Sequence, residues 1–154
     1  MNDFPELDAR LDQLLAQMDA GGRRALARRM GTDLRRSQIA RIRAQKNPDG
    51  SGYEPRRAQQ KKGRIRRAKA TGPMFRKLAT ARRLRIDASA DGLELGFADA
   101  TTGRIARVHH LGLRDRINRQ SDAEAQYPER RLLGLSAEDR ARLLDLALEA
   151  LGSR

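Results

Sequence analysis

Leu84-Arg85-Ile86-Asp87-Ala88-Ser89-Ala90-Asp91-Gly92-Leu93-Glu94-Leu95-Gly96-Phe97-Ala98 decides the fold class of this 154-residue chain. Leu84, Ile86 and Ala88 alternate with polar residues, and Leu93, Leu95 and Phe97 alternate again. Period-two alternation marks a half-buried strand. Asp91-Gly92 supplies the residues of a tight turn between the two runs. A β-hairpin therefore sits in a chain whose two ends read as helix. The expected fold is α+β: N-terminal helices, a small antiparallel sheet, a C-terminal helix and a long basic arm.

The first helix is expected over residues 3–19. Asp3 caps it, Pro5 suits the first turn, and Phe4, Leu7, Leu11, Leu14, Leu15 and Met18 recur at helical spacing. Its other face is acidic, with Glu6, Asp8, Asp12 and Asp19, and Gly21-Gly22 is read as its stop. A second, basic helix is expected over residues 23–45, with Leu26, Met30, Leu34, Ile39 and Ile42 as a loose apolar stripe and Gly31 as its weak point. Asn47-Pro48-Asp49-Gly50-Ser51-Gly52 is a turn signal.

Beyond it the composition shifts. Residues 55–86 contain no acid and carry thirteen positive charges, equal to the net charge of the whole chain, +13. Up to Thr71 the only large apolar side chain is Ile65. Such a stretch cannot bury enough apolar surface to order itself and reads as an exposed arm. Met74, Phe75 and Leu78 suggest a short helix after the arm. After the hairpin, Gly103 is expected to end a turn. Ile105, Val108 and Leu111 suggest a short helix ended by Gly112. The polar residues 113–126 read as loop, and Arg131-Leu132-Leu133-Gly134-Leu135 as an edge strand. Ser136 with Asp139 caps a final helix whose apolar face holds Leu143, Leu144, Leu146, Ala147, Leu148 and Leu151. The expected organisation is one domain, 1–154, with helices in 1–46, the basic loop in 47–73, an α+β core in 74–135 and the last helix in 136–154.

Composition narrows the function. There is no cysteine, which removes disulfides, thiolate chemistry and cysteine-zinc sites. No apolar run has the length that spans a bilayer, and Met1-Asn2-Asp3-Phe4 does not resemble a signal peptide, so a cytoplasmic site of synthesis without membrane contact is expected. His109-His110 point in different directions on any regular element, and a packed or interfacial role is preferred to a metal or general base. No serine lies in a nucleophile elbow, and no glycine run has the phosphate-loop pattern. No catalytic residue, metal or cofactor is expected.

The basic arm remains. Arg56, Arg57, Lys61, Lys62, Arg64, Arg66, Arg67 and Lys69 are the candidate interface charges. Arg104, Arg107, His109, Arg114 and Tyr127 are secondary candidates. Arginine suits bidentate pairing with carboxylate or phosphate. The arm therefore fits either an acidic protein surface or nonspecific nucleic acid, where each neutralised phosphate adds about 0.9 to the log–log salt slope. From the residues alone, assembly protein and DNA-binding accessory protein stand level, and a solvated charge run is the bland reading of both.

An ordered set of segments separates them. Arg41-Ile42-Arg43-Ala44-Gln45-Lys46-Asn47-Pro48-Asp49-Gly50-Ser51, Tyr53-Glu54-Pro55-Arg56, Lys62-Gly63-Arg64-Ile65-Arg66 and Met74-Phe75-Arg76-Lys77-Leu78 occur in that order. They are followed by residues 104–115, Tyr127-Pro128-Glu129-Arg130 and Leu132-Leu133-Gly134-Leu135-Ser136. Over nearly the whole chain this resembles the virion morphogenesis, or tail-completion, family of contractile-tailed phages. The resemblance implies a non-catalytic structural protein at the head-proximal end of a tail, acting as collar, terminator or neck. Similar proteins occur in R-type pyocin-like particles, and related ones form rings, often hexameric. Implied partners are further copies of itself, tail tube and sheath or terminator proteins, and head-neck proteins. The implied location is the virion or tail-like particle, assembled in the bacterial cytoplasm. Acidic helix one and the basic arm would then be complementary faces of neighbouring subunits. Deleting residues 56–69 should leave a folded monomer and abolish the ring; a retained ring in size-exclusion chromatography with light scattering would overturn the arm's role.

Overall fold

A computed structural model describes residues 9, 12, 13, 16–56, 72–118 and 121–152. Three helices and two hairpins follow in chain order: α1 (Ala20–Arg43), β1 (Leu84–Ala88), β2 (Leu93–Phe97), α2 (Ala100–His110), β3 (Arg114–Asn118), β4 (Ser121–Gln126) and α3 (Ala137–Gly152). The α+β expectation holds, with two separate two-stranded antiparallel sheets in place of one. The expected first helix lies largely outside the described residues, although Ala9, Asp12 and Gln13 are helical.

α1 is the hub. It starts earlier than its sequence suggests, because Asp19 is its N-cap: the carboxylate accepts from Gly22 N at 2.7 Å. Gly21 and Gly22 thus lie in the first turn of this helix and do not separate it from its predecessor. At the other end Gln45 takes a left-handed backbone (φ 59°), and a bridge between Lys46 and Gly52 closes the expected turn. Within that turn Asn47 N donates to Ser51 O at 2.8 Å and Ser51 N to Asp49 Oδ1 at 2.9 Å.

Two cores form on different sides of α1. On one, Leu26 packs with Met18, Leu146 and Ala147 of the α3 side. On the other, Ile42 packs with Tyr53, Met74, Leu78, Ala79, Leu84, Ala106 and Leu132. A helix packed on both sides needs apolar residues on more than one stripe, which is why the periodicity of α1 is loose. Gly31 is no weak point. It is buried, and a Cβ there would stand 2.5 Å from Ile86 Cγ2 and 2.7 Å from Leu93 Cδ1. Its missing side chain is what lets the β1–β2 hairpin lie against the helix.

The central hairpin forms as expected, with Leu84 opposite Phe97, Ile86 opposite Leu95 and Ala88 opposite Leu93; Ser89 N donates to Gly92 O, so the turn is centred on Ala90-Asp91 and not on Asp91-Gly92. Four other expectations are corrected. The short helix at 74–78 is a set of turns, because Phe75 is held at φ 62°. Gly103 lies inside α2, which Asp99 caps through Thr102 N at 2.8 Å. The loop expected at 113–126 is the β3–β4 hairpin. Its strands are too polar to show apolar alternation. The edge strand expected at 131–135 makes no ladder; side chains satisfy its backbone instead. Arg41 donates to the carbonyls of Arg131 at 3.0 Å and Leu132 at 3.1 Å. Arg131 N donates to Asn47 Oδ1 at 2.9 Å and Gly134 N to Gln38 Oε1 at 3.2 Å. α3 opens on the expected box: Asp139 N donates to Ser136 Oγ at 3.1 Å, and Ser136 N to Asp139 Oδ2 at 3.0 Å.

Gly31→Ala provides a test of this packing. In an open helix the change would stabilise by about 1 kcal/mol. Here overpacking of about 1–3 kcal/mol opposes it, so the urea midpoint should fall. A raised midpoint would mean that the hairpin does not lie against Gly31.

Candidate interaction site at the root of the basic arm

Of the arm's candidate charges, Arg56 is described and exposed. Arg57, Lys61, Lys62, Arg64, Arg66, Arg67 and Lys69 lie outside the described residues. The two points where the chain enters and leaves residues 57–71 are both described, and both are anchored.

The entry is held by Arg130, which sequence reading did not single out. This arginine is only 3% exposed. Its Nε donates to Glu54 O at 2.8 Å and its Nη2 to Pro55 O at 3.1 Å. Its Nη1 lies 3.3 Å from His109 Nδ1. Guanidinium can only donate, so Nδ1 accepts and the imidazole proton sits on Nε2. Arg130 N also donates to His109 O at 2.8 Å. The exit is held by Gln45, whose Oε1 accepts from Met74 N at 2.7 Å while its Nε2 donates to Met74 O at 3.0 Å.

A row of four rings joins these anchors. Tyr53, three residues before Arg56, meets Phe75 edge-on with centroids 5.9 Å apart. Phe75 meets His109 at 4.9 Å, and His109 meets Tyr127 at 4.8 Å, both edge-on. Edge-to-face geometry sets the positive rim of one ring against the negative face of the next. Tyr53 and Phe75 belong to opposite roots of the arm, so this row fixes where the chain leaves and where it returns. His109 and Tyr127, two secondary candidates, are thus structural members of the root.

The electrostatics of the root follow from burial and from cationic neighbours. Desolvation first, then Arg130 and Arg56, push His109 down to about 4. His110 is lowered as well, mainly by burial. Burial raises the Tyr53 phenol. At neutral pH the root therefore carries uncharged rings around a charged, buried Arg130.

The other secondary candidates lie elsewhere. Arg104 is exposed on α2 and forms an ion pair with Asp115 of β3. The N–H of Arg116, and then Arg104, hold that carboxyl below the usual range. Arg107 is exposed beside a shallow groove lined by Phe97, Ala106, His110 and Leu133. Arg114 is exposed on β3 opposite Gln126. Arg130 stood in the Tyr127-Pro128-Glu129-Arg130 segment, but nothing in its type marks it off from the other basic residues; only burial does.

Fold and site together define a small α+β protein in which the chain is anchored to the folded body on both sides of a strongly basic segment. The chain belongs to the phage virion morphogenesis family, which matches residues 2–152. It is 39% identical over 142 residues to tail completion protein S of Escherichia phage P2, an alignment covering 90% of this chain and 91% of that protein. No solved structure matches it significantly.

His109 gives the site a pH dependence. The unfolded chain binds this proton near 6.5 and the folded one near 4. Between those values the unfolded state holds more protons, so stability rises with pH and is lost on acidification through the window. The ceiling is about 3 kcal/mol, reduced by residual solvent around the half-buried ring. His109→Gln keeps an acceptor for Arg130 and should flatten the difference in thermal midpoint between pH 6.5 and pH 4.5. An unchanged slope would remove His109 from the root.

Proposed function

We propose that this protein completes a phage tail, forming a homo-oligomeric ring that caps the head-proximal end of a contractile tail or of a headless tail-like particle. The observation that carries this reading is the near full-length similarity to tail completion protein S. The physical character of the chain supports it. The two cores are small, large apolar side chains are left exposed, and arginines dominate the surface. Such a subunit gains much of its order from neighbours. The role is that of a structural component of the virion, and the chemistry is recognition without catalysis.

In this reading the basic arm is a contact. Arg130, Gln45 and the ring row hold its two ends close together, so residues 57–71 are presented from a fixed base. Its partners are acidic surfaces of neighbouring subunits or of other tail proteins, with Arg56, Arg57, Lys61, Lys62, Arg64, Arg66, Arg67 and Lys69 as the pairing charges. Rooting lowers the ordering cost that a free tail of the same composition would meet on binding.

Electron microscopy of particles from producer cells lacking this gene tests the role. Tails of abnormal length, or tails with a bare upper end, are expected. Normal particles would overturn the reading and leave nonspecific nucleic-acid contact through the arm as its replacement.

A further inference from the structure

The described elements pack in a row: α3 on α1, α1 on the β1–β2 hairpin, β2 on α2, and α2 leading into the β3–β4 hairpin. The two ends of this row carry four of the five large apolar side chains left exposed among the described residues. At one end are Leu111, Leu113 (37% exposed) and Ile117 (47%). At the other is Leu148 of α3 (52%).

The β3–β4 hairpin packs substantially on no other described element, and a two-stranded hairpin alone is marginal in water. Its base is fastened where Leu113 N donates to Val108 O at 2.8 Å and Tyr127 N to Leu113 O at 3.1 Å, and the Arg104–Asp115 ion pair ties β3 to α2. Strand alternation sets Leu113, Asp115 and Ile117 on one face, with Ala125 opposite Asp115. The register irregularity puts its extra residue on β4: Arg116 to Asn118 spans two steps, and their partners Glu124 to Ser121 span three. Ile117 therefore stays in phase. Arg104 pairs with Asp115 within this face, so no net charge stands between Leu113 and Ile117. Exposed Arg114 and Arg116 alternate onto the opposite face of the hairpin, where Arg116 pairs with Asp122.

α3 presents the complement. Glu138, Ala141, Asp145 and Leu148 recur at spacings of three, four and three, on one exposed face. Glu138 and Asp145 enter no ion pair among the described residues. The charge balance is opposite at the two ends. Residues 100–118 hold four arginines and one aspartate, whereas α3 holds four carboxylates and two arginines in a chain of net charge +13.

We propose that the Leu113/Ile117 face of the β3–β4 hairpin docks on the Ala141/Leu148 face of α3 in a second copy of this chain. The arginine-rich end formed by residues 100–118 thereby meets the carboxylate-rich α3 of the next copy. Two different surfaces join, so the contact is heterologous and repeats from copy to copy until it closes. The inference rests on the reading of this protein as a self-assembling tail component, and it adds the surfaces that join the copies apart from the basic arm.

The test uses two full-length variants, Ile117→Arg and Leu148→Arg, both at exposed positions that leave the folded monomer intact by circular dichroism. In sedimentation velocity the unmodified chain should form oligomers, and each variant alone should associate at least tenfold more weakly. Mixed in equal amounts, the two variants should form a discrete pair, because each retains the surface that the other lacks. A monomeric unmodified chain, a variant that assembles normally, or a mixture that stays monomeric would each overturn the proposal. Bare or misshapen tails in cells lacking the gene, together with any of those results, would sink the contact and leave the tail role standing. Normal tails in those cells would sink the tail role whatever the sedimentation shows.

Discussion

A backbone carbonyl must find a donor, and in this protein Arg41 supplies donors to three carbonyls of a strand-like segment that has no strand beside it. Arg41 reaches out from α1 and donates to Lys46, Arg131, Leu132 and Gly134. Arg130 points back from that segment to Glu54 and Pro55. Each charge-assisted bond contributes about 1.5–3 kcal/mol, and an orphaned carbonyl would cost about as much. Through these contacts residues 127–136 tie together the turn after α1, the root of the arm and the start of α3. Without them the two small cores would be joined only by α1.

That division of labour explains how a chain so poor in aromatics keeps a defined fold. The apolar clusters are modest, and a layer of polar side chains links α1 to the start of α3. Asp139 caps α3 through Ser136 and also accepts from Ser37 and Gln38 of α1. Gln38, almost wholly buried, spends its other atom on Gly134 and Arg41. A polar network of this kind fixes one arrangement of elements more tightly than apolar contact does, because a shifted partner leaves groups unsatisfied.

The same economy governs the surface. Arginines whose side chains are needed inside are solvated by carbonyls, while carboxylates pair with others at the periphery, as in Arg29 with Glu149 and Arg142 with Asp33. The remaining positive charge is concentrated where the chain leaves the folded body. His109, kept neutral between Phe75 and Tyr127, lets Arg130 sit in the root with no imidazolium against it.

Local chemistry was legible in the sequence. Asp91-Gly92 between two alternating runs gave a hairpin, Ser136 and Asp139 gave a helix start, and Asn47 to Gly52 gave a turn, because each rests on residues within a few positions of one another. The resemblance of ordered segments gave the family. The charge of residues 55–86 was equally plain, although most of that arm lies outside the described residues. Tertiary structure decided the rest. Nothing near Gly31 announces that a hairpin lies on it, and nothing near Arg130 sets it apart from the other basic side chains. The polar β3–β4 hairpin was hidden because its strands make no core and so show no apolar period. Residues 131–135 look like a strand but bond to side chains from α1 and its following turn. In each case the deciding partner lies far along the chain, and a sequence pattern records only neighbours that share an element.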